Sequence, residues 1–367
     1  MKIIDYTHEN NNIEQYSLCL KHLYDIHSGR ILYFDIETTG LSARNSTLYL
    51  IGALWFEDNM ICIRQWFNED GYTEKEIIES FNTFCSDFTY LVHFNGTTFD
   101  VPYIREKALK HNLTIDNIER LIQIDIFKEI RTYKKMFGLE NMKQVTIEKF
   151  LKIYREDTYS GDELINVYQR YVARPDEERE HLLLLHNHDD LIGMINITTI
   201  LNYKILFERP LIESHVIHFN DDNTQIEIDI IFPKHIIIPQ RISFTNQYGT
   251  YINASDNQAI IIIPVIKDTL KHFFKDYKNY YYLPGEDMAI HKSVSSYVEP
   301  ENRIKATKKN CYIKKTDSYV ICFDKEYPEI FMFNYCDKVT YRTCSSLINA
   351  DDNTQIKYIR ETLLSLI

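Results

Sequence analysis

Two carboxylates share one face of a predicted strand. Within residues 31–38, ILYFDIET, β alternation points Tyr33, Asp35 and Glu37 one way and Phe34 and Ile36 the other. Neighbouring carboxylates in a sheet repel each other and lose hydration unless a cation binds or one keeps its proton; the alternative is a solvated strand face. A third acid, Asp100, ends the run His93-Phe94-Asn95-Gly96-Thr97-Thr98-Phe99-Asp100, in which a strand gives way to a Gly turn and a helix. Taken alone, Asp100 reads as a helix cap. His186 and Asp190, four apart, continue the helical stripe of Met194, Ile197 and Leu201. An ionisable pair in line with a buried stripe needs a partner. A divalent cation held by Asp35, Glu37, Asp100 and Asp190 would be one, and an all-oxygen donor set suits Mg²⁺ or Mn²⁺ better than zinc.

The elements around these residues read as a mixed α/β unit. Apolar, β-branched and aromatic runs at 31–38, 47–57 and 60–68 form a three-strand meander, with Asp58-Asn59 as a tight turn. Ile77, Ile78, Phe81 and Phe84 predict a helix over 74–86, followed by a strand at 90–94. A helix over 100–112, a strand near 121–126, helices through 127–170 and a long helix over 177–204 complete it. After Pro210 the texture becomes Ile-rich alternation, with strands expected at 214–219, 224–232, 241–247 and 258–265. A helix over 266–276, a strand pair near 318–334 and an amphipathic helix over 353–366 close the chain. The expected organisation is an N-terminal extension (1–27), a catalytic α/β domain (28–205) and a β-rich α+β accessory domain (206–367).

Composition narrows the class. The 367 residues are 44% hydrophobic and 26% charged, as in folded globular proteins. No apolar run approaches the ~18 residues of a membrane span, and the N-terminus lacks a secretory h-region. Seven scattered cysteines, with no C-x-x-C, fit neither a disulfide framework nor a zinc knuckle. A cytoplasmic protein with no membrane partner is expected. The net charge of -12 counts against nucleic-acid binding, yet it is uneven: residues 1–204 hold 22 Lys+Arg against 32 Asp+Glu, residues 205–367 hold 19 against 21. Bound divalent metals supply positive charge where the protein does not.

The three acidic segments, DIETTGL (35–41), NGTTFD (95–100) and HNHDD (186–190), resemble in order and spacing the three motifs of the DEDD 3′-to-5′ exonuclease superfamily, which has a ribonuclease-H-like fold. The forms FNG-xx-FD and HN-xx-D, with Ser160-Gly161 between them, resemble the bacterial YprB-type ribonuclease-H-like proteins. The resemblance covers residues 28–205. It implies that Asp35, Glu37, Asp100 and Asp190 bind two Mg²⁺ or Mn²⁺ ions about 4 Å apart, and that His186 is the general base. Three residues separate His186 from Asp190, the spacing of the superfamily's Tyr-bearing branch, with His in the Tyr position. The resemblance further implies that Thr38, Leu41 and Asn95 belong to the substrate site, with Leu41 against the terminal base. The expected activity is metal-dependent 3′-to-5′ hydrolysis of single-stranded DNA or RNA. The alternatives are a nucleic-acid-binding scaffold of weak activity and a structure-specific endonuclease.

For the remaining polar residues a structural role is expected. Asp125 reads as a helix cap, Ser160-x-x-Glu163 as a capping box, His93 as a satisfied core residue and Arg155 as a surface ion pair. Residues 267–315 carry 11 Lys+Arg against 6 acids, interleaved with Tyr277, Tyr280, Tyr281 and Tyr282. Such a surface tracks a phosphate backbone and stacks bases, or is a basic face over tyrosines that pack a core.

Overall fold

A computed structural model describes residues 1–9, 13–156, 159 and 161–367. The Ser160-Gly161 pair and the Ser160 capping box lie partly outside these. The chain divides into two compact units, residues 1–205 with 235–240, and residues 206–234 with 241–367.

The first unit is built on a six-stranded sheet of order β1-β4-β3-β2-β5-β6. Its strands are β1 (Lys2–Glu9), β2 (Ile31–Thr38), β3 (Leu48–Glu57), β4 (Met60–Phe67), β5 (Tyr90–His93) and β6 (Ile122–Asp125). The β1/β4, β4/β3 and β3/β2 pairs are antiparallel, whereas β5 and β6 run parallel to β2. The meander turns at Asp58, whose φ of 51° suits the hairpin at Glu57↔Met60. Residues 1–27, set apart as an extension in the sequence, supply edge strand β1 and helix α1 (Ile13–Tyr24) to this unit.

The other helices of the unit are α2 (Glu74–Phe84), α3 (Asp100–Lys110), α4 (Asp116–Glu119), α5 (Ile126–Ile130), α6 (Lys134–Phe137), α7 (Gln144–Phe150), α8 (Gly161–Ala173) and α9 (Glu177–Ile197), with α10 (Asn202–Glu208) leading out of it. Alternation along β2 splits the core in two. Phe34 and Ile36 join Trp66, Ile77 and Phe81 under α2 and α3, while Tyr49, Leu50 and Phe67 meet Leu164, Tyr168 and Leu183 of α8 and α9 on the opposite side. Helices thus cover both faces of the sheet around β2 and β3, and the β2 carboxylates are largely withdrawn from solvent, Glu37 buried and Asp35 half-buried.

The second unit is antiparallel. A five-stranded sheet of order β7-β8-β11-β10-β9 uses β7 (Ser214–Phe219), β8 (Gln225–Ile231), β9 (Ile238–Thr245), β10 (Tyr251–Asp256) and β11 (Gln258–Pro264). A three-stranded sheet orders β12 (Ile266–Phe273), β16 (Tyr312–Cys322) and β17 (Thr340–Thr343), and a smaller one orders β14 (Met288–His291), β13 (Tyr280–Leu283) and β15 (Ile304–Lys305). Helices α11 (Cys344–Ile348) and α12 (Asp352–Leu364) end the chain.

Two expectations are corrected. Residues 266–273 form a strand, not a helix: β12 pairs along its whole length with β16 and turns Leu270 into a small core with Tyr319 and Phe331. Cross-strand packing overrides the helical spacing of the apolar residues there. The strand pair near 318–334 is replaced by β16 with β17; Phe331 and Met332 form only isolated bridges.

The tyrosines of the basic stretch pack their own hairpin. Tyr280 stacks on Phe274 at 4.5 Å, and the Tyr282 and Tyr312 hydroxyls both donate to Asp287. Among the described residues no helix is long and apolar enough to cross a membrane, and the seven cysteines are free thiols, with Cys336 alone exposed.

Candidate active site

The site starts from a cross-strand row. Register aligns Asp35 of β2 with Gly52 of β3, and Gly52 with Gln65 of β4. The middle position has no side chain, and the fully buried Asn187 of α9 lies over it. Its Nδ2 donates to Asp35 Oδ2 at 3.1 Å, while its Oδ1 accepts from Gln65 Nε2 at 2.9 Å. Gln65 also donates to the Leu184 carbonyl at 2.9 Å, fastening the helix to the sheet.

A Cβ on Gly52 would stand 1.9 Å from Asn187 Oδ1. Gly52→Ala is accordingly expected to cost about 1–3 kcal/mol by overpacking. It should also turn the amide away from Asp35, seen as a lower melting temperature and weaker Mn²⁺ binding by titration calorimetry. Unchanged values would show that the row does not set the position of α9.

Once α9 is fixed, the next residues along it face the acids. His186 Nε2 lies 3.7 Å from Glu37 Oε1 and 3.4 Å from Asp190 Oδ2. Ligand atoms of Glu37, His186 and Asp190 all lie within 4.8 Å of one another. Asp100 begins α3, but its carboxylate is buried, where the Ile36 amide of β2 favours its charged form and Asp190 repels it. It is therefore turned into the site, and Phe99 takes the capping position.

Burial dominates the electrostatics. It holds the Asp35 carboxyl well above the usual carboxylate range, with repulsion from Asp190, Glu37 and Asp100 adding to it and the Asn187 bond opposing it. Glu37 is pushed up to about 8 by burial; His186 opposes the rise, and Asp190 and Asp100 add to it. Asp100 is pushed up to about 7, again by burial, although the backbone amides of Asp100 and Ile36 favour its charged form. Buried, mutually repelling carboxyls keep their protons until a cation replaces them.

Around them the chain gives structural support. Asp125 accepts from the Asn95 amide at 2.9 Å, from Thr97 and from Lys128, so it caps α5 and also shapes the turn before Asp100. Asn95 sits in that turn at φ 61°. His93 is a satisfied core residue: Nδ1 accepts from the Gly96 amide at 3.1 Å and Nε2 meets Gln123 Oε1 at 2.8 Å.

Residues 32–202 match the family RNase_H_2 of the RNase_H superfamily. They form a ribonuclease-H-like domain. Its relatives include the uncharacterized protein YprB of Bacillus subtilis (strain 168), 24% identical over 189 residues that cover 50% of this chain and 45% of that protein. A second is the PolC-type DNA polymerase III of Streptococcus pyogenes serotype M18 (strain MGAS8232), 29% identical over 111 residues, 24% of this chain and 7% of that one. Neither relative is matched over half its length. Among solved structures, E. coli exonuclease I in complex with a dA16 oligonucleotide aligns with a TM-score of 0.29 and 10% identity, covering 56% of this chain and 55% of that one.

Within the ribonuclease-H-like domain, Asp35, Glu37, Asp100, His186 and Asp190 come together. Thr38 ends β2 and Leu41 lies in the turn after it: the Thr38 hydroxyl donates to the Gly40 carbonyl at 3.0 Å, and Leu41 is 88% exposed. Arg155 departs from expectation. Its side chain, only 12% exposed, pairs with Asp190 and lies 3.2 Å from Glu148 Oε2, so it belongs to the cluster and is no surface pair. Gly52, Gln65 and Glu148 carried no signal that sequence reasoning could use. The Gly52–Gln65 alignment was recoverable only from strand register, and Glu148 is indistinguishable from a solvated helix residue until Arg155 folds onto it.

Proposed function

We propose that this chain is a metal-dependent nuclease that removes nucleotides from the 3′ end of single-stranded nucleic acid. The observation that carries the reading is the convergence of Glu37, His186 and Asp190 within 4.8 Å, beside two further acids, the half-buried Asp35 and the buried Asp100. The raised carboxyls fit a divalent cation, since an uncompensated group of this kind is costly in a folded core.

Asp35, Glu37, Asp100 and Asp190 are the residues that would hold Mg²⁺ or Mn²⁺. When bound, such ions acidify water and neutralise charge developing on the phosphate. His186 accepts the proton of the attacking water at Nε2, where Glu37 and Asp190 stabilise the resulting imidazolium. The water oxygen bonds to phosphorus, the P–O3′ bond breaks and the leaving 3′ oxygen takes up a proton. Leu41, exposed beside the acids, abuts the terminal base, and Thr38 and Asn95 hold the turns on either side. The resemblance of DIETTGL and its two partner segments to the exonuclease motifs supports the 3′-to-5′ direction.

A pH dependence follows. The folded-state carboxyls of Glu37 and Asp100 lie above their unfolded values, so their contribution to stability is complete below about pH 4 and is lost as pH rises through about 7 and 8. Metal-free protein should therefore melt progressively lower between about pH 5 and 8.5. Over that interval Mn²⁺ affinity should rise, with proton release visible as a buffer-dependent calorimetric enthalpy. A flat affinity over this range would contradict the electrostatic account.

Linear and covalently closed single strands separate the exonuclease from an endonuclease. In Mn²⁺ the linear strand is expected to disappear while the circle persists, because an exonuclease needs an end. Cutting of the circle would replace this reading with an endonuclease.

A further inference from the structure

Beyond Asp190 the ribonuclease-H-like domain opens a cavity of about 610 Å³ that no step of the proposed reaction uses. It is formed by the end of α7 and the segment after it, and Arg155 is its link to the acids, lining the cavity while paired with Asp190. The volume falls in the ~300–1,000 Å³ range of small-ligand sites.

Its lining has the chemistry of a nucleotide site. Glu148 is occupied by Arg155 and by Gln144 Nε2 at 3.0 Å, which leaves the wall without a free negative charge at that point. Lys149 and Lys152 are exposed in the lining, and neither forms an ion pair among the described residues. Helix α7 ends with the Ile153 amide on the Glu148 carbonyl at 2.9 Å, and this places Lys152 at φ 59°, a conformation in which Gly is the usual residue. A cation stands there instead. Beside it Tyr154 is 93% exposed, a ring with no aromatic partner among the described residues, at the rim of a cation-lined cavity that touches a carboxylate cluster.

We infer that this cavity holds the nucleotide upstream of the one being removed, with Lys149 and Lys152 on its phosphate and Tyr154 stacked on its base. The inference rests on the nuclease reading for the identity of the strand. Charge complementarity selects a phosphodiester, and continuity through Arg155 and Asp190 places it next to the scissile bond. The Leu41 turn, reached through β2, and this cavity, reached through α9, are separate residue groups attached to the same acids.

The test measures binding of a 5′-fluorescein-labelled thymidine strand, about 20 nucleotides long to exceed the ~4–16 of a typical single-strand site, in EDTA by fluorescence polarisation. Full-length Asp35→Asn protein is used so that turnover plays no part. The double variant Lys149→Glu/Lys152→Glu is expected to weaken binding about 10-fold or more and to flatten the salt dependence of log K by about 1.4, at ~0.7 per single-strand phosphate contact. Tyr154→Ala should weaken it by about 5- to 150-fold, the range for loss of one base stack. Lys110→Glu, an equal charge change at an exposed site on α3 for each lysine replaced, should leave affinity unchanged. Milder Lys149→Gln/Lys152→Gln protein guards against misfolding and should flatten the salt slope in the same way. Retention of wild-type affinity and slope in both double variants overturns the assignment. Wild-type protein with Mn²⁺ and the p-nitrophenyl ester of thymidine 5′-phosphate tests the underlying reading separately. Failure to hydrolyse both the ester and an oligonucleotide sinks the nuclease reading, whereas the binding data judge the cavity alone.

Discussion

Asp35→Asn should abolish metal-dependent cleavage, by on the order of 10³-fold or more, while making the metal-free protein more stable. The two effects have one cause. Asp35 is held among Glu37, Asp100 and Asp190 with its carboxyl far above the usual range, so its ionised form strains the folded state. Replacing it with an amide removes that repulsion and keeps an oxygen that can accept from Asn187. A gain of about 1–3 kcal/mol in EDTA is expected, a fraction of the several kcal/mol that burial of an ion costs. At ~2–4 °C per kcal/mol for a unit of this size, this is readable as a higher melting temperature. Mn²⁺ should then stabilise the variant far less than it does the wild type. A variant that melts lower than wild type in EDTA would mean that Asp35 is a structural group whose loss is not relieved by removing charge.

The largest stability loss is expected at Lys107. Its side chain is 1% exposed and lies 2.8 Å from Glu74 Oε1, and its ammonium also donates to the Ser46 carbonyl. Glu74 further accepts from the Leu48 amide at 2.7 Å and meets His111 Nε2 at 2.7 Å. Burial alone would raise the Glu74 carboxyl, but the His111 and Lys107 bonds outweigh it and hold the group below its ordinary value. This pair ties α2 and α3 to the loop that connects β2 to β3, the loop that carries Leu41. Lys107→Met fills the volume but strands a buried carboxylate, and should cost about 3–5 kcal/mol near pH 7. The loss should shrink as the pH is lowered and the stranded Glu74 carboxylate takes up a proton; a loss independent of pH would point to packing instead of charge.

The legibility of this chain followed the length scale of each interaction. The meander, α2, α3 and the stripe on α9 were readable because their apolar periodicity is local and agrees with the packing they meet. The acids were readable for a related reason, since a carboxylate pair on one face of an apolar strand conflicts with its neighbours. What holds the acids was not readable. The Asp35–Gly52–Gln65 row exists only through the register of three strands, and Asn187 becomes informative only once α9 crosses that row. Arg155 looked like a surface residue because nothing near it in sequence shows that Asp190 and Glu148 converge on it. In the second unit, residues 266–273 carry apolar residues at helical spacing, and only their partner β16 makes them a strand.

The central claim is that these carboxyls hold divalent ions for hydrolysis at a 3′ end. The most direct measurement incubates the full chain with 5′-labelled single-stranded DNA and RNA in Mg²⁺, Mn²⁺ or EDTA, beside Asp35→Asn. The expected result is a ladder shortening from the 3′ end, dependent on the metal and absent from the variant, with the better substrate identifying the preferred sugar. Intact strands under every metal, or equal cleavage by the variant, would contradict it.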